Sequence, residues 1–229
     1  MYFPSVLVGC PVNEVKDYCI EDYLENISRL TYPNKKFYFV DNSANFDYHF
    51  DTFICHGFDC DYVNPQGKKN AEYICECQNM IREKAINEDF DYLFFLECDV
   101  FPKPEIIEEL LAYDADVVAC NYFVGQDKFR QLLKMEIEEG SEGILTNRNI
   151  TQVEGFLEYG TQKSRSNMFG FGATLIRRNI LEQFPFNIQG SIHADTYWSI
   201  DLHNAGVSVV NHPYIATHKN SKWSRIKDI

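Results

Sequence analysis

The sequence predicts an α/β fold built on a mostly parallel sheet with helices on both faces. Unbroken apolar runs, typical of strands buried on both faces, occur at 6–10, 37–40 and 92–96, and a further strand is predicted at 116–123 around the apolar residues 117–120. Segments with the apolar spacing of amphipathic helices lie between them at 17–30, 70–86 and 104–113. Because strands and helices alternate in this way, the first half of the chain predicts repeated βαβ units in a Rossmann-like layout.

The most informative stretch is 92–104, where five apolar residues lead directly into Glu97 and Asp99. Pro102 and Pro104 then end the strand and suit the start of a helix. In an open parallel sheet, ligands bind at the carboxyl ends of the strands. Two carboxylates at such an end indicate a site for Mg²⁺ or Mn²⁺, which take oxygen ligands and share them with substrate phosphates. A solvated turn that happens to carry two acids is the alternative.

The other predicted strands also end in polar loops. Pro11, Val12, Asn13 and Glu14 follow the first strand, and Asp41 and Asn42 follow the second. The turn before the 70–86 helix carries Lys68 and Lys69, which are candidates to meet a diphosphate, as are Lys222 and Arg225 near the C-terminus. Solvated surface lysines are the plainer interpretation of all four residues.

The second half of the chain is more varied. Short alternating pieces at 134–138 and 150–157 predict a hairpin, and a glycine-rich stretch at 169–173 leads into a further strand. Helices are predicted at 178–184 and 195–204, with Asp195 as the N-cap and Gly206 as the C′ residue. A last strand is predicted at 207–210. Tyr197 and Trp198 are candidates to stack on a sugar, although burial is the default for a helix aromatic.

Length and composition favour one packed domain. The 229 residues are 45% hydrophobic and 15% aromatic, and no linker or repeat divides them. We therefore predict a single domain over 1–229, with a nucleotide-binding half at about 1–123 and an acceptor-binding half at about 124–229.

The charge and cysteine content narrow the function classes. A net charge of −13 disfavours nucleic acid as the partner, and an anionic substrate would need a local cation. The eight cysteines lie in apolar or helical patterns without paired CxxC motifs, which predicts reduced thiols. No run approaches the roughly 18 apolar residues of a membrane span, so we expect a cytoplasmic protein with no membrane span.

Together these segments resemble the GT-A-fold glycosyltransferases, most closely the family-2-like group of inverting nucleotide-sugar enzymes. The resemblance covers nearly the whole chain. It rests on the order of segments that are individually short: 8–14, 40–43, 67–70 with 77–79, 97–99, 169–173, 193–196 and 216–218. Glu97-Cys98-Asp99 corresponds to the DxD element of that group.

The resemblance implies specific roles. Pro11, Val12, Asn13, Glu14, Asp41 and Asn42 would contact the nucleoside, and Cys98 would lie beside the donor. Asp99 and His218, with Glu97, would hold Mn²⁺ or Mg²⁺. Asp195 would act as the general base toward a hydroxyl of a carbohydrate or glycoconjugate acceptor, with a nucleotide sugar, most simply a UDP-sugar, as the donor and with inversion at the anomeric carbon.

Two departures from the pattern keep alternatives open. The first acid of the metal motif is Glu97 rather than Asp, and the base motif keeps only its second acid, Asp195. A binding module that has lost the chemistry is one alternative. A sugar nucleotidyltransferase is another, although the loop 10–14 lacks the glycine-rich, basic phosphate-binding sequence which that class would need.

Overall fold

The computed structural model describes residues 3–122, 162–164, 169–188 and 194–219. The strands are β1 (Val6–Val12), β2 (Lys35–Asp41), β3 (Cys60–Tyr62), β4 (Tyr92–Leu96), β5 (Val100–Phe101), β6 (Val117–Tyr122), β7 (Gln162–Ser164), β8 (Ala173–Arg177) and β9 (Val209–His218). The helices are α1 (Asp17–Ser28), α2 (Phe46–His49), α3 (Asn70–Asn87), α4 (Ile106–Leu111), α5 (Arg178–Gln183) and α6 (Ala194–Asn204). A 3₁₀ turn, Glu14–Lys16, precedes α1, and a π-helical turn, Phe50–Ile54, follows α2.

Within the described residues all nine strands join one sheet in the order β3-β2-β1-β4-β8-β6-β9-β5, and β7 also pairs with β9. The pairs β2–β3, β1–β2, β1–β4 and β6–β9 are parallel. Strand β8 runs antiparallel between β4 and β6. The mostly parallel α/β sheet predicted from the sequence is therefore confirmed, and the carboxyl ends of β1, β2 and β4 meet at one edge.

Alternating side chains of the buried strands build a core on each face of the sheet. In β1, Val6 and Val8 pack with residues of α1 and α4 on one face. Leu7 points the other way and packs with residues of α3, α5 and α6. Burial on both faces explains the unbroken apolar runs that predicted these strands.

An aromatic cluster lies under α6. Trp198 is fully buried, its Nε1 donates to the Phe184 carbonyl at 2.9 Å, and its ring packs on Phe169, Phe171 and Phe186. Burial, the default expectation for Trp198, is therefore what the structure shows.

The last strand differs from its prediction. It spans Val209–His218 instead of 207–210, and it continues through Pro213. Its pairing with β6 shifts register between Cys120, opposite His212, and Asn121, opposite Ile215. A proline cannot donate a ladder hydrogen bond, so an irregularity of this kind accommodates it without ending the strand.

Three short strands, β3, β5 and β7, were not predicted, and the predicted hairpin at 134–138 and 150–157 lies outside the described residues. Gly206 has φ of 77° and ends α6 as predicted. All eight cysteines are free and seven are buried, which agrees with the expected reduced thiols. Among the described residues no helix has the length and apolar character needed to cross a membrane.

Candidate active site

A cavity of about 350 Å³ opens at the edge where β1, β2 and β4 end. The β1 and β2 loops contribute the predicted residues Pro11, Val12, Asn13 and Asn42 to its lining. The loop after β4 and the start of α6 contribute Glu97, Cys98, Asp99 and Asp195. The structure thus brings eight of the predicted site residues to one cavity, although they come from four separate parts of the chain.

The β1 and β2 loops are joined into a single wall of this cavity. Asn13 Nδ2 donates to the carbonyl oxygen of Asn42 at 2.8 Å and to its Oδ1 at 2.6 Å. The backbone N–H of Glu14 donates to Ser43 Oγ at 2.8 Å. These bonds fix the two loops relative to each other before any ligand binds.

Asp41 lies behind this wall and does not line the cavity. It is fully buried, and its Oδ1 accepts from the N–H of Ser43 at 2.9 Å and from Ser43 Oγ at 2.6 Å. Burial raises the pKa of Asp41, while the two bonds from Ser43 oppose that rise. In this structure Asp41 therefore shapes the loop that presents Asn42. Glu14 contributes its backbone N–H to that loop and likewise lies outside the cavity lining.

Asp99 is the center of a compact charged cluster, which we call the cation centre and define as Lys16, Asp99 and His218. Asp99 is 1% exposed. Its Oδ2 accepts from Lys16 Nζ and lies 3.3 Å from His218 Nε2. Burial would raise the pKa of Asp99, but the hydrogen bond from His218 and the charge of Lys16 outweigh burial and lower it. Asp99 is therefore held as a carboxylate.

Backbone hydrogen bonds hold the 97–99 loop from two sides. Glu97 N donates to the Gly172 carbonyl at 3.0 Å, and Lys219 N donates to the Asp99 carbonyl at 2.7 Å. Strand β5 pairs Val100 with His218 on β9. The distance between Asp99 and His218 is thus set by sheet pairing rather than by flexible side chains.

Glu97 is partly buried and shares the cavity wall with Asp99 and Asp195. Burial, followed by the negative charge of Asp99, raises the pKa of Glu97 to about 7, and Lys16 opposes this rise. A carboxyl group in such surroundings is readily stabilised by a bound cation.

Asp195 lies in the first turn of α6, which begins at Ala194, one residue earlier than the predicted N-cap position. Its Oδ1 accepts from the N–H of Thr196 at 2.7 Å. Asp195 lines the same cavity as Lys16, Glu97 and Asp99. His193, beside it in the sequence, lies outside the described residues.

The glycine-rich approach to β8 makes room for Tyr122 beside Asp195. A Cβ on Gly172 would lie 2.5 Å from Tyr122 Cζ, and one on Gly170 would also collide with the Tyr122 hydroxyl. Tyr122 Oη accepts from the N–H of Gly172 at 3.2 Å, and its ring packs edge-on against His218 at 5.5 Å. Tyr122 therefore connects the glycine-rich segment before β8 to the cation centre.

The two lysines predicted to meet a diphosphate lie outside the cavity lining. Lys68 is exposed and pairs with Glu76 on α3. Lys69 is exposed, and its backbone N–H donates to Glu72 at 2.8 Å. The neighbouring helix residues Asn70, Tyr73 and Ile74 line the cavity instead. Lys222 and Arg225 lie outside the described residues.

Sequence reasoning missed three residues of the site: Lys16, Tyr122 and Gln78. Gln78 is 6% exposed and lines the cavity, and its Oε1 has no hydrogen-bond partner among the described residues. The available signal for Lys16 was its position, because it follows the β1 loop at the same sheet edge as Asp99. For Gln78 the signal was its place in the 77–79 segment of the family resemblance, and for Tyr122 the sequence offered none.

The donor set of the cation centre fits a divalent ion. Asp99 Oδ2 lies 3.3 Å from His218 Nε2, and Glu97 offers a further carboxylate, so the nitrogen and oxygen ligands that Mn²⁺ accepts are present. Asp99 Oδ1 is buried without a hydrogen-bond partner among the described residues, so the carboxylate keeps capacity for a ligand. Within the described ranges, however, no three His, Cys, Asp or Glu side chains are arranged to hold a metal ion without adjustment. Lys16 occupies part of the space that such an ion would need.

Among known proteins, those similar to this chain were found by comparing structures and not by comparing sequences. No protein-family profile and no curated protein sequence matches the chain. The S. aureus protein TarS, residues 1–349 in complex with UDP, superposes with a TM-score of 0.55 at 13% identity, over 93% of this chain and 60% of that one. The mannosyltransferase PcManGT from Pyrobaculum calidifontis, in complex with GDP-Man and Mn²⁺, gives 0.59 at 12% identity, over 97% and 59%.

A third structure is closer in length. A197 from STIV superposes with a TM-score of 0.54 at 15% identity, over 95% of this chain and 87% of that one. The chain spans about 60% of the length of TarS 1–349. At these identities the likeness concerns the fold, and it confirms the predicted fold class: the chain has the GT-A fold of nucleotide-sugar glycosyltransferases.

Proposed function

We propose that this protein is a metal-dependent glycosyltransferase that moves a sugar from a nucleotide diphosphate sugar to a hydroxyl of a carbohydrate acceptor, with inversion. One observation carries the proposal: the buried carboxylate of Asp99, which lies 3.3 Å from His218, and a second carboxylate, Asp195, line one cavity together with a preformed loop wall. Transfer of a sugar from such a donor needs a surface that binds the nucleoside, a site for the metal ion and a base for the acceptor hydroxyl.

The loop wall would bind the nucleoside. Pro11 and Val12 offer apolar surface, and Asn13 and Asn42 offer amide groups in fixed positions. We favour uridine, the nucleoside of the UDP in the TarS complex, whereas the PcManGT complex contains GDP-Man. A rigid wall costs little ordering entropy on binding and so favours tight recognition.

Asp99 and His218 would hold Mn²⁺ or Mg²⁺, with Glu97 contributing and phosphate oxygens completing the shell. When bound, the ion stabilises the negative charge that develops on the departing diphosphate. Asp99 is suited to this role because it is already a carboxylate, fixed by backbone pairing of its loop on both sides.

Asp195 would accept the proton of the attacking acceptor hydroxyl. It enters the cavity from α6, an element separate from the 97–99 loop, as a base on the acceptor side requires. A single base with no second nucleophile in the proposed mechanism corresponds to direct displacement, which inverts the anomeric centre.

Gln78 is positioned to contribute to donor binding. Its unpaired, buried Oε1 at the cavity wall would be satisfied by a sugar hydroxyl or a base N–H. Free thiols at all eight cysteines support the further proposal that the protein works in a reducing compartment such as the cytoplasm.

The test is a panel of UDP-, GDP- and dTDP-sugars, each measured with Mn²⁺, with Mg²⁺ and with chelator. We expect one nucleotide to raise the melting temperature only when metal is present, and its sugar donor to release the diphosphate slowly without an acceptor. A protein that responds to no nucleotide under any metal condition is not a glycosyltransferase. Binding of free glycans in that protein would instead support a non-catalytic module.

A further inference from the structure

We propose that Lys16 is the resident counter-ion of Asp99, that a divalent ion must displace it, and that the displaced ammonium then binds the diphosphate of the donor. This inference rests on the proposed metal-dependent transferase. It makes Lys16 the residue that couples metal binding to donor binding.

The first step of the argument is that the two cations compete for one oxygen. Lys16 Nζ contacts Asp99 Oδ2, and the same oxygen lies 3.3 Å from His218 Nε2. A divalent ion bound between Asp99 and His218 would lie about 2.1 Å from its oxygen ligand. An ammonium group in contact with that oxygen leaves no room for such an ion, so only one of the two cations binds there at a time.

The second step concerns where the ammonium goes. The Lys16 side chain is 34% exposed and extends from the short turn Glu14–Lys16 into the cavity. Lys16 is the one lysine or arginine among the described residues that line this cavity, in a chain with a net charge of −13. Once released from Asp99, it would remain in the cavity as the cation available to an anionic ligand.

The third step is thermodynamic. A diphosphate that binds the Lys16 ammonium removes the competitor of the metal ion, and a metal ion on Asp99 releases Lys16 for the diphosphate. Each ligand therefore raises the affinity of the other by the same factor. Without a nucleotide, Lys16 keeps metal affinity low, so the protein does not bind a divalent ion tightly until a donor is present.

The experiment measures Mn²⁺ binding by the electron paramagnetic resonance signal of the free ion, with and without UDP or GDP. The variant Lys16→Met keeps an unbranched side chain, one heavy atom shorter than lysine, and removes the charge. Lys68→Met makes the same change in net charge at a lysine that pairs with Glu76 outside the cavity lining. Unchanged melting temperatures show that the variants fold.

Because Lys16→Met removes the positive charge that competes for Asp99, we expect it to tighten Mn²⁺ binding without nucleotide by about tenfold or more. The further gain in Mn²⁺ affinity on adding the nucleotide should shrink in Lys16→Met and stay at the wild-type value in Lys68→Met. Equal or weaker Mn²⁺ binding by Lys16→Met in the absence of nucleotide would overturn the inference.

Failure of this inference and failure of the proposed function give different results. If neither the wild type nor Lys16→Met binds Mn²⁺ but a nucleotide sugar is still cleaved in the presence of chelator, the Lys16 inference is wrong and the transferase activity stands. If the competition is observed but no nucleotide sugar is cleaved, Lys16 has the proposed effect on the metal and the transferase assignment is wrong.

Discussion

Two clusters that pair aspartates with basic residues lie at opposite ends of β4 and differ in how deeply the aspartates are buried. The cation centre lies where β4 ends, and Asp99 within it is 1% exposed. The other cluster, which we call the arginine edge, consists of Arg177, Arg178, Asp89 and Asp114. It lies where β4 begins, because Tyr92 pairs with Arg177.

The clusters differ in how far their aspartates are buried and in whether the carboxylate oxygens have hydrogen-bond partners. At the arginine edge, Arg177 pairs with Asp114 at 2.7 Å and Arg178 with Asp89 at 2.6 Å, and both aspartates are 88% exposed. At the cation centre a buried oxygen of Asp99 has no hydrogen-bond partner among the described residues. Exposed, neutralised pairs contribute little to stability or binding, whereas a buried carboxylate with an unused oxygen is suited to a ligand.

The largest expected effect is at Asp99. Asp99→Asn keeps the size of the side chain and removes the charge that would bind the ion, so metal-dependent release of diphosphate from the donor should fall by about 100-fold or more. Asp114→Asn, at the arginine edge, is the matched control and should keep wild-type turnover. Full turnover in Asp99→Asn would place the metal site elsewhere.

The next effect is at Asp195. If it is the general base, Asp195→Asn should lower kcat by about 100-fold while leaving the affinity for metal and nucleotide unchanged. Steady-state kinetics with a saturating acceptor, together with nucleotide binding by calorimetry, separate the two quantities. A loss of nucleotide affinity with unchanged kcat would show that Asp195 acts on the donor and not as a base.

A smaller effect, on stability, is expected beside the cation centre. Gly172→Ala would place a Cβ 2.5 Å from Tyr122 Cζ, and such overpacking costs about 1–3 kcal/mol. Denaturant unfolding should show this loss, and the second substitution Tyr122→Leu should recover part of it. Additive losses in the double variant would mean that the contact with Tyr122 is not the cause.

The smallest effects are expected at the arginine edge. Arg178→Ala should change the free energy of unfolding by about 1 kcal/mol or less, because exposed ion pairs contribute that little. Arg177→Ala should cost slightly more, since its guanidinium also lies 5.2 Å from the Tyr92 ring centroid. Both variants should keep wild-type turnover. A large loss of turnover in either would end the functional contrast between the two edges.

The sequence predicted the central strands because burial on both faces leaves an unbroken apolar run, as at Val6–Val12 and Tyr92–Leu96. It did not predict β3, whose three residues Cys60–Tyr62 are too few for a pattern. The antiparallel direction of β8 was also not predicted, because an apolar run shows burial and carries no information about strand direction. The predicted last strand, 207–210, covers only the start of β9, because the segment after residue 210 mixes polar residues with Pro213 and has no unbroken apolar run.

The candidate site was predicted where it follows from strand ends, as for Asn13, Asn42 and Asp99. It was harder to predict which lysines belong to the site. A lysine in an acidic chain is usually solvated at the surface, and the sequence does not show how close it lies to a given carboxylate. Lys68 and Lys69 were singled out and lie outside the cavity lining, whereas Lys16 reaches Asp99. The position of Lys16 just after the β1 loop indicated its edge of the sheet, and the folded arrangement shows that it reaches Asp99.

The pairing of β5 with the end of β9 has a consequence for how the protein is made. Lys16 lies near the start of the sequence, Asp99 in the middle and His218 close to the end. Lys16 and Asp99 are both present in a nascent chain once residue 99 has been synthesised, whereas His218 follows 119 residues later. Capture of a divalent ion by Asp99 and His218 would therefore require translation through residue 218, and a product that terminates before His218 would lack it.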